Sequence, residues 1–389
     1  MVKEEVVIIV GAGPSGISTS ACLNHLSIPN IVLERDDCLA SLWTKKCYDR
    51  LHLHVAKQFS NFPHMPVPAD YPKYMSKDQF VQYVDNYARQ FNVKPMYNRL
   101  VELATFDDTI KKWYVKVRNM QQGTQYDFDE YVCKFLVVAT GQNTDVHIPE
   151  IEGLDTFPGE VLHSTNYKSA AKYANKHVLV LGSGNSGIDI ALDLANFGAR
   201  TSITVRNPVH ILNKEILNIG LIMIKHIPLK IVDVVLAILS KLIVGDTTKY
   251  GIPRPNRNPF SSKWIIDSGT LNKIKSGHIQ VLPALKSILG DYIEFVNGES
   301  YQFDVLVLAT GFRRSASKWL QDSDYLLNEN GNLQRSEFHN SWVSKTKFAN
   351  NWKGNNGLYC VGLCGRGIEP ASIESVKIAN DINFLLQNE

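Results

Sequence analysis

Short, unbroken apolar runs recur along the chain, and each ends on glycine or on Ala-Thr-Gly. Val6-Val7-Ile8-Ile9-Val10 leads into Gly11, Val178-Leu179-Val180-Leu181 into Gly182, and Val305-Leu306-Val307-Leu308 into Ala309-Thr310-Gly311. Runs this short without alternation predict buried strands. Phe135 to Val138, closing on Ala139-Thr140-Gly141, and Leu358 to Gly362 extend the series, while Trp113 to Val117 is strand-like without the glycine ending. Between the runs the period lengthens to that of helices at Ile17 to Leu26 and Ile188 to Phe197. Ser76 stands as the N-cap of an amphipathic helix from Asp78 to Phe91, and a last helix is expected from about Ala371 to Leu386. Four prolines, Pro63, Pro66, Pro68 and Pro72, interleave with Phe59, Phe62, Tyr71 and Tyr74 and predict an ordered irregular loop.

Two of the strand-to-helix turns carry glycines in the same pattern: Gly11-Ala12-Gly13-Pro14-Ser15-Gly16 and Gly182-Ser183-Gly184-Asn185-Ser186-Gly187. In such a turn the first glycine permits the tight bend and the second lets backbone approach a pyrophosphate. The third allows close packing of helix on strand. The helix that follows offers free N–H groups to phosphate. The fold class expected is therefore α/β, with two Rossmann-like dinucleotide-binding domains. The economical topology inserts the second domain, residues 155–320, into the first, residues 1–154 and 321–389.

The second strand of each unit distinguishes the nucleotides. Ile31-Val32-Leu33 ends on Glu34, whose carboxylate accepts from ribose hydroxyls and repels a 2′-phosphate, which suits FAD or NAD. Thr201 to Val205 ends on Arg206, whose guanidinium fork matches a phosphate and suits NADP. The plain alternatives are a solvated strand end at Glu34 and a surface cation at Arg206.

Composition narrows the class. A net charge of +3 over 389 residues, without long basic blocks, does not point to nucleic acid. Six cysteines at irregular spacing, with no CxxC among them, resemble neither a disulfide scaffold nor a dithiol redox centre. The first strand begins within ten residues, so no signal segment is expected and a cytoplasmic location is. Ile216 to Val244 is the most apolar stretch, yet Lys225, His226, Lys230, Asp233 and Lys241 interrupt it. It reads as a buried or pocket-lining helix pair rather than a span, with peripheral membrane contact as the alternative.

Phe157-Pro158-Gly159-Glu160-Val161-Leu162-His163-Ser164-Thr165-Asn166-Tyr167 lies between the two glycine turns and resembles the FxGxxxHxxx[YF] signature of flavin-containing monooxygenases. Glu34 to Trp43, Tyr48 to His54, Lys57-Gln58-Phe59, Val180 to Gly187, Gly245-Asp246, Lys249-Tyr250-Gly251 and Arg366-Gly367 are similar to the plant YUCCA group. That resemblance covers nearly the whole chain. It implies an FAD- and NADPH-dependent monooxygenase that converts indole-3-pyruvate and O2 to indole-3-acetate, the plant hormone auxin, through a C4a-peroxyflavin. The same chemistry leaves open an oxygenase of nitrogen or sulfur centres. A protein that keeps the fold without the chemistry is the non-enzymatic alternative.

Within that frame Asn185 and Ser186 are candidates to contact retained NADP, or else simply cap their helix. Trp43 resembles the family's tryptophan beside the flavin, or is a core aromatic. His54 stands where the resemblance places an Asn in many relatives, so it either hydrogen-bonds the reacting groups or is a packed histidine. His163 and Tyr167 are expected to be structural. Ile368-Glu369-Pro370-Ala371-Ser372 departs from the family pattern, which puts the flavin-side contacts there in doubt. Asn330 to Asn351 is expected to form a polar surface loop.

Overall fold

The computed structural model describes residues 2–121, 128–256, 264–321, 327, 352–363 and 367–388. The polar segment Asn330 to Asn351, Cys364 and Arg366 lie outside the described residues.

The first glycine turn joins β1 (Lys3–Val10) to α1 (Pro14–His25), which returns to β2 (Asn30–Leu33). A short helix α2 (Ser41–Lys45) and α3 (Lys77–Gln90) follow, and then the antiparallel strands β3 (Arg99–Asp107) and β4 (Lys112–Asn119) lead to β5 (Phe128–Val138). β1 pairs in parallel with β2 on one side and β5 on the other. β5 is long enough to serve two neighbours along one edge. Its first half pairs antiparallel with β4, and Leu136 to Val138 pair in parallel with Leu358–Cys360 near the C-terminus. β4 alternates buried and half-buried positions because only one face meets the core, whereas the end of β5 is buried throughout.

α3 starts where sequence places its cap. Ser76 Oγ accepts from the Gln79 N–H at 3.2 Å while Gln79 Oε1 accepts from the Ser76 N–H at 3.0 Å, a reciprocal capping box. Its apolar face, Phe80, Tyr83, Val84 and Tyr87, joins α1 and the last helix in one core.

The chain crosses to the second nucleotide unit through β6 (Asp145–Val146) and β7 (Glu160–His163). β8 (His177–Leu181), the second glycine turn, α4 (Asn185–Asn196) and β9 (Arg200–Thr204) repeat the first unit. β10 (His210–Asn213) and β11 (Trp264–Asp267) pair in parallel, separated by the helix pair α5 (Lys214–Ile224) and α6 (Leu229–Val244). After α7 (Thr270–Lys275) come β12 (Ile279–Leu282), the antiparallel ribbon β13 (Leu285–Leu289), β14 (Tyr292–Phe295) and β15 (Ser300–Gln302), and then β16 (Val305–Leu308). The second sheet is all parallel in the order β12-β9-β8-β16-β7. β17 (Phe312–Arg313) pairs antiparallel with β6, so the outgoing and returning chains run together. α8 (Ala316–Trp319), β18 (Leu358–Cys360) and α9 (Ile368–Gln387) rebuild the first unit, with α9 packed on α1 and Thr19 Oγ1 donating to Ser375 Oγ at 3.0 Å. The second unit is thus inserted in the first.

α9 begins earlier than expected. Glu369 and Pro370 are in its first turn, where a proline loses no helical hydrogen bond, and Glu369 pairs at 2.9 Å with Lys225, the residue that caps the C-terminus of α5. The helix pair buries Ile216, Leu217, Leu221, Val232 and Leu236 against Ala56, Phe59, Leu212 and Ile266, yet Ile231, Val234, Ile238 and Leu242 remain exposed on α6. No helix among the described residues is long and apolar enough to cross a membrane.

Candidate active site

In the first glycine turn each glycine has a distinct steric reason. Gly11 has φ +110°, and a Cβ there stands 2.7 Å from the Ala139 carbonyl oxygen; one on Gly16 stands 1.9 Å from the Gly11 carbonyl oxygen. Gly13 faces open space. That space is a cavity of about 640 Å³ lined by Gly11, Gly13, Pro14, Ser15, Glu34 and Trp43, with Thr140 and Gly141 across from them. Ala12 and Gly16 stay behind it. The Ala12 N–H donates to Glu34 Oε2 at 2.7 Å, and the Asp36 N–H donates to Oε1 at 2.9 Å. Burial pushes the Glu34 carboxyl up, with these two donors opposing. Glu34 therefore couples the strand end to the turn and keeps acceptor capacity on the cavity side. Trp43 packs on Phe80 at 4.6 Å between ring centres while lining the cavity, so it is core aromatic and pocket wall at once.

The second turn reproduces this geometry. Gly182 has φ +115°, a Cβ on it meets the Ala309 carbonyl oxygen at 2.5 Å, one on Gly187 meets the Gly182 carbonyl oxygen at 1.9 Å, and Gly184 faces open space. Ser183 and Ser186 complete the turn, half-buried. The strand ends differ. Val10 pairs with Leu33 in the first unit, and Val180 with Ile203 in the second. Counting on from those pairs, Glu34 corresponds to Val205 and Arg35 to Arg206. A buried apolar residue stands where the first unit has its carboxylate, and an exposed guanidinium follows it. Sequence reading treated Glu34 and Arg206 as matching strand ends; the register sets Arg206 one residue further out.

Asn185 does not cap its own helix. Its Oδ1 accepts from the Ile266 N–H at 2.9 Å, holding the turn against β11. One helical turn on, buried Asp189 accepts from the Tyr48 hydroxyl at 2.8 Å and from His54 Nε2 at 3.1 Å. Another turn on, Asp193 accepts from the Tyr167 hydroxyl at 2.7 Å and the Ala170 N–H at 3.0 Å. Asn185, Asp189 and Asp193 thus form one stripe on α4, and its middle member joins the two units. Burial pushes Asp189 up, but the His54 and Tyr48 hydrogen bonds and the charge of Arg50 outweigh it and hold the carboxyl below its usual value. Burial and the same carboxylate push the Tyr48 hydroxyl well up.

Tyr167 is buried in this contact, as expected of a structural residue. His163, at the end of β7, meets Thr165 through Nδ1 at 3.1 Å and sets its ring edge-on to Phe312; burial holds its pKa down. The crossing strands are stapled beside it, with the His147 N–H donating to the Gly311 carbonyl at 3.0 Å and Thr310 Oγ1 to the His147 carbonyl at 2.5 Å. Asp189, Tyr48 and Asp193 were missed in the sequence. The signal was present as polar residues four apart in an otherwise apolar helix.

Two glycine cradles, each on parallel strands of its own sheet, one followed by a buried carboxylate and the other by a buried valine and an exposed guanidinium, define an oxidoreductase of the two-dinucleotide type. The chain belongs to the flavin-binding monooxygenase-like family, whose profile matches residues 4–330. It is 43% identical over 390 residues to the probable indole-3-pyruvate monooxygenase YUCCA10 of Arabidopsis thaliana, covering 98% of each chain. It is 41% identical over 389 residues to the indole-3-pyruvate monooxygenase YUCCA6 of the same plant, covering 97% of this chain and 89% of that one. Among solved structures it is similar to OTEMO in complex with FAD and NADP, at TM-score 0.73 and 14% identity, covering 100% of this chain and 87% of that one. The fold is equally shared with the bacillithiol disulfide reductase Bdr of Bacillus cereus, at TM-score 0.68 and 17% identity, covering 98% and 100%. Fold alone therefore does not separate oxygenase from reductase.

Proposed function

We propose that this protein oxidatively decarboxylates indole-3-pyruvate, consuming O2, NADPH and one proton and releasing indole-3-acetate, carbon dioxide, water and NADP. The observation that carries the substrate assignment is the near-full-length likeness to indole-3-pyruvate monooxygenases. Cofactor placement rests on the cradles. FAD fits the first, where Gly13 leaves room for a pyrophosphate, α1 directs its N-terminus at the cavity, and Glu34 accepts from the ribose. NADPH fits the second, where Val205 removes the carboxylate that repels a 2′-phosphate and Arg206 supplies a cation. When bound, FAD supplies the electron relay and oxygen activation.

The chain's own residues bind, orient and exclude water. Trp43 walls the flavin cavity and Asn185 fixes the second turn on β11, while His54, which lies outside the lining of that cavity, brings an imidazole able to serve as an acid–base group to the contact between the units. A cytoplasmic location belongs to the same reading. The exposed apolar face of α6, flanked by exposed Lys230 and Lys241, supports peripheral contact with an anionic membrane surface rather than a span. Co-sedimentation with anionic against neutral vesicles tests that contact.

The test of function is NADPH-driven O2 consumption with indole-3-pyruvate, with indole-3-acetate quantified. Acetate formed in proportion to NADPH is expected. Hydrogen peroxide without acetate, or turnover of tertiary amines without turnover of the keto acid, refutes the reading, and a colourless protein that takes up no FAD refutes enzymatic function.

A further inference from the structure

The His54 imidazole meets the second unit through one atom. Its Nε2 lies 3.1 Å from Asp189 Oδ2, and Asp189 is four residues past Asn185 on the helix that the second glycine turn opens. His54 itself belongs to the first unit, in the loop between α2 and α3. A carboxylate with a depressed pKa accepts and does not donate, so the ring nitrogen facing it carries the proton. That leaves Nδ1 as the free nitrogen: a lone pair on the neutral ring, an N–H on the charged one. Nδ1 makes no hydrogen bond among the described residues, and the side chain keeps about a fifth of its surface open (19%).

Asp189 is held in turn. Tyr48 donates to the same oxygen at 2.8 Å, and Arg50 from the same loop adds its charge. Lys214 of α5 and Asp267 of β11 face it electrostatically from the other side; burial lowers the first and raises the second. Asp189 Oδ1 and Arg50 Nη1 are buried without hydrogen-bond partners among the described residues. A charged carboxylate kept in such a place at the cost of an unsatisfied atom calls for a role beyond packing.

We propose that Asp189 is the positioning residue for His54: it fixes the imidazole as the Nε2–H tautomer with Nδ1 directed away from α4, so that the NADPH-side helix orients the acid–base group of the FAD-side unit. This rests on the functional reading above for what His54 acts on, though not for the tautomer. Asp189 touches no reacting group and acts through the ring alone.

The first readout needs no substrate. Long-range 15N–13C correlation on the histidine-labelled, FAD-loaded chain should give the Nε2–H pattern for the His54 resonance, identified by its loss in His54→Gln. In Asp189→Leu no acceptor remains opposite the ring, and the fixed Nε2–H pattern should be lost. The second readout is kinetic. Asp189→Leu should lower indole-3-acetate formation about tenfold or more. In the His54→Gln background the same change should add little. An Nδ1–H tautomer in the unaltered protein overturns the proposal, as does a full additional loss in the double variant. Failure to form any indole-3-acetate in the unaltered protein counts against the substrate reading alone, because the tautomer is read without it.

Discussion

The two glycine cradles are nearly superimposable in their steric logic, yet differ one residue beyond the strand that faces the nucleotide. Gly16 and Gly187 each pack 1.9 Å, measured from an added Cβ, against the carbonyl of the first glycine. Gly13 and Gly184 both face open space. At the strand end, however, Glu34 is buried and hydrogen-bonded to its own turn, while Val205 offers no polar atom and Arg206 stands in solvent. A cradle made of backbone can be copied without regard to the nucleotide it holds. Specificity is carried by the side chains beside it.

The widest separation should come from matched substitutions. Gly16→Ala should reduce flavin per protein to below about a tenth, read from the visible spectrum, whereas Gly187→Ala should keep the flavin and lose its reduction by NADPH. Loss of flavin in both erases the functional difference between the cradles. Next in size is Arg206→Ala. A hydrogen-bonded charge contact contributes about 1.5–3 kcal/mol, so kcat/KM for NADPH should fall roughly tenfold to a hundredfold, with NADH changed by less than about twofold. Equal loss for both cofactors refutes the 2′-phosphate contact. Val205→Glu carries the first cradle's chemistry into the second and should move preference from NADPH toward NADH, measured as the ratio of the two kcat/KM values.

Acid should expose the contact between the units. The Asp189 carboxyl sits below its unfolded value of about 3.9, so its contribution to stability is full above that pH and is lost as pH falls through the lower folded value. Thermal midpoints followed downward from about pH 5 should drop with a shallower slope in Asp189→Asn than in the unaltered chain; identical slopes mean that the pair adds nothing. The smallest effect is expected at Tyr167→Phe, which removes one donor from Asp193 within the second unit. A cost of about 1–2 kcal/mol, or a few degrees in Tm, with cofactor preference unchanged, separates structural from functional members of the α4 stripe.

Much of this was legible in the chain. Unbroken apolar runs announced the parallel strands of both sheets, Ser76 announced α3, and the glycine spacing placed both cradles. The start of α9 was less legible, since Glu369-Pro370 reads as a turn until its proline is seen in the first helical turn. The roles of Asn185 and His54 were left open for a different reason. Capping is a local act, but Asn185 holds Ile266, 81 residues away, and His54 meets Asp189, 135 residues away.

Sequence by itself determined where the two glycine turns lie and that the strand ends beside them differ, because backbone turns, glycine sterics and run lengths are written within about thirty residues. Only the tertiary structure decided that Arg206 is offset from Glu34, that Trp43 lines the cavity, and that the second cradle's helix meets a histidine from a loop of the first unit. Those depend on strand register and on buried carboxylates finding donors across a domain junction, and neither is encoded in any single segment.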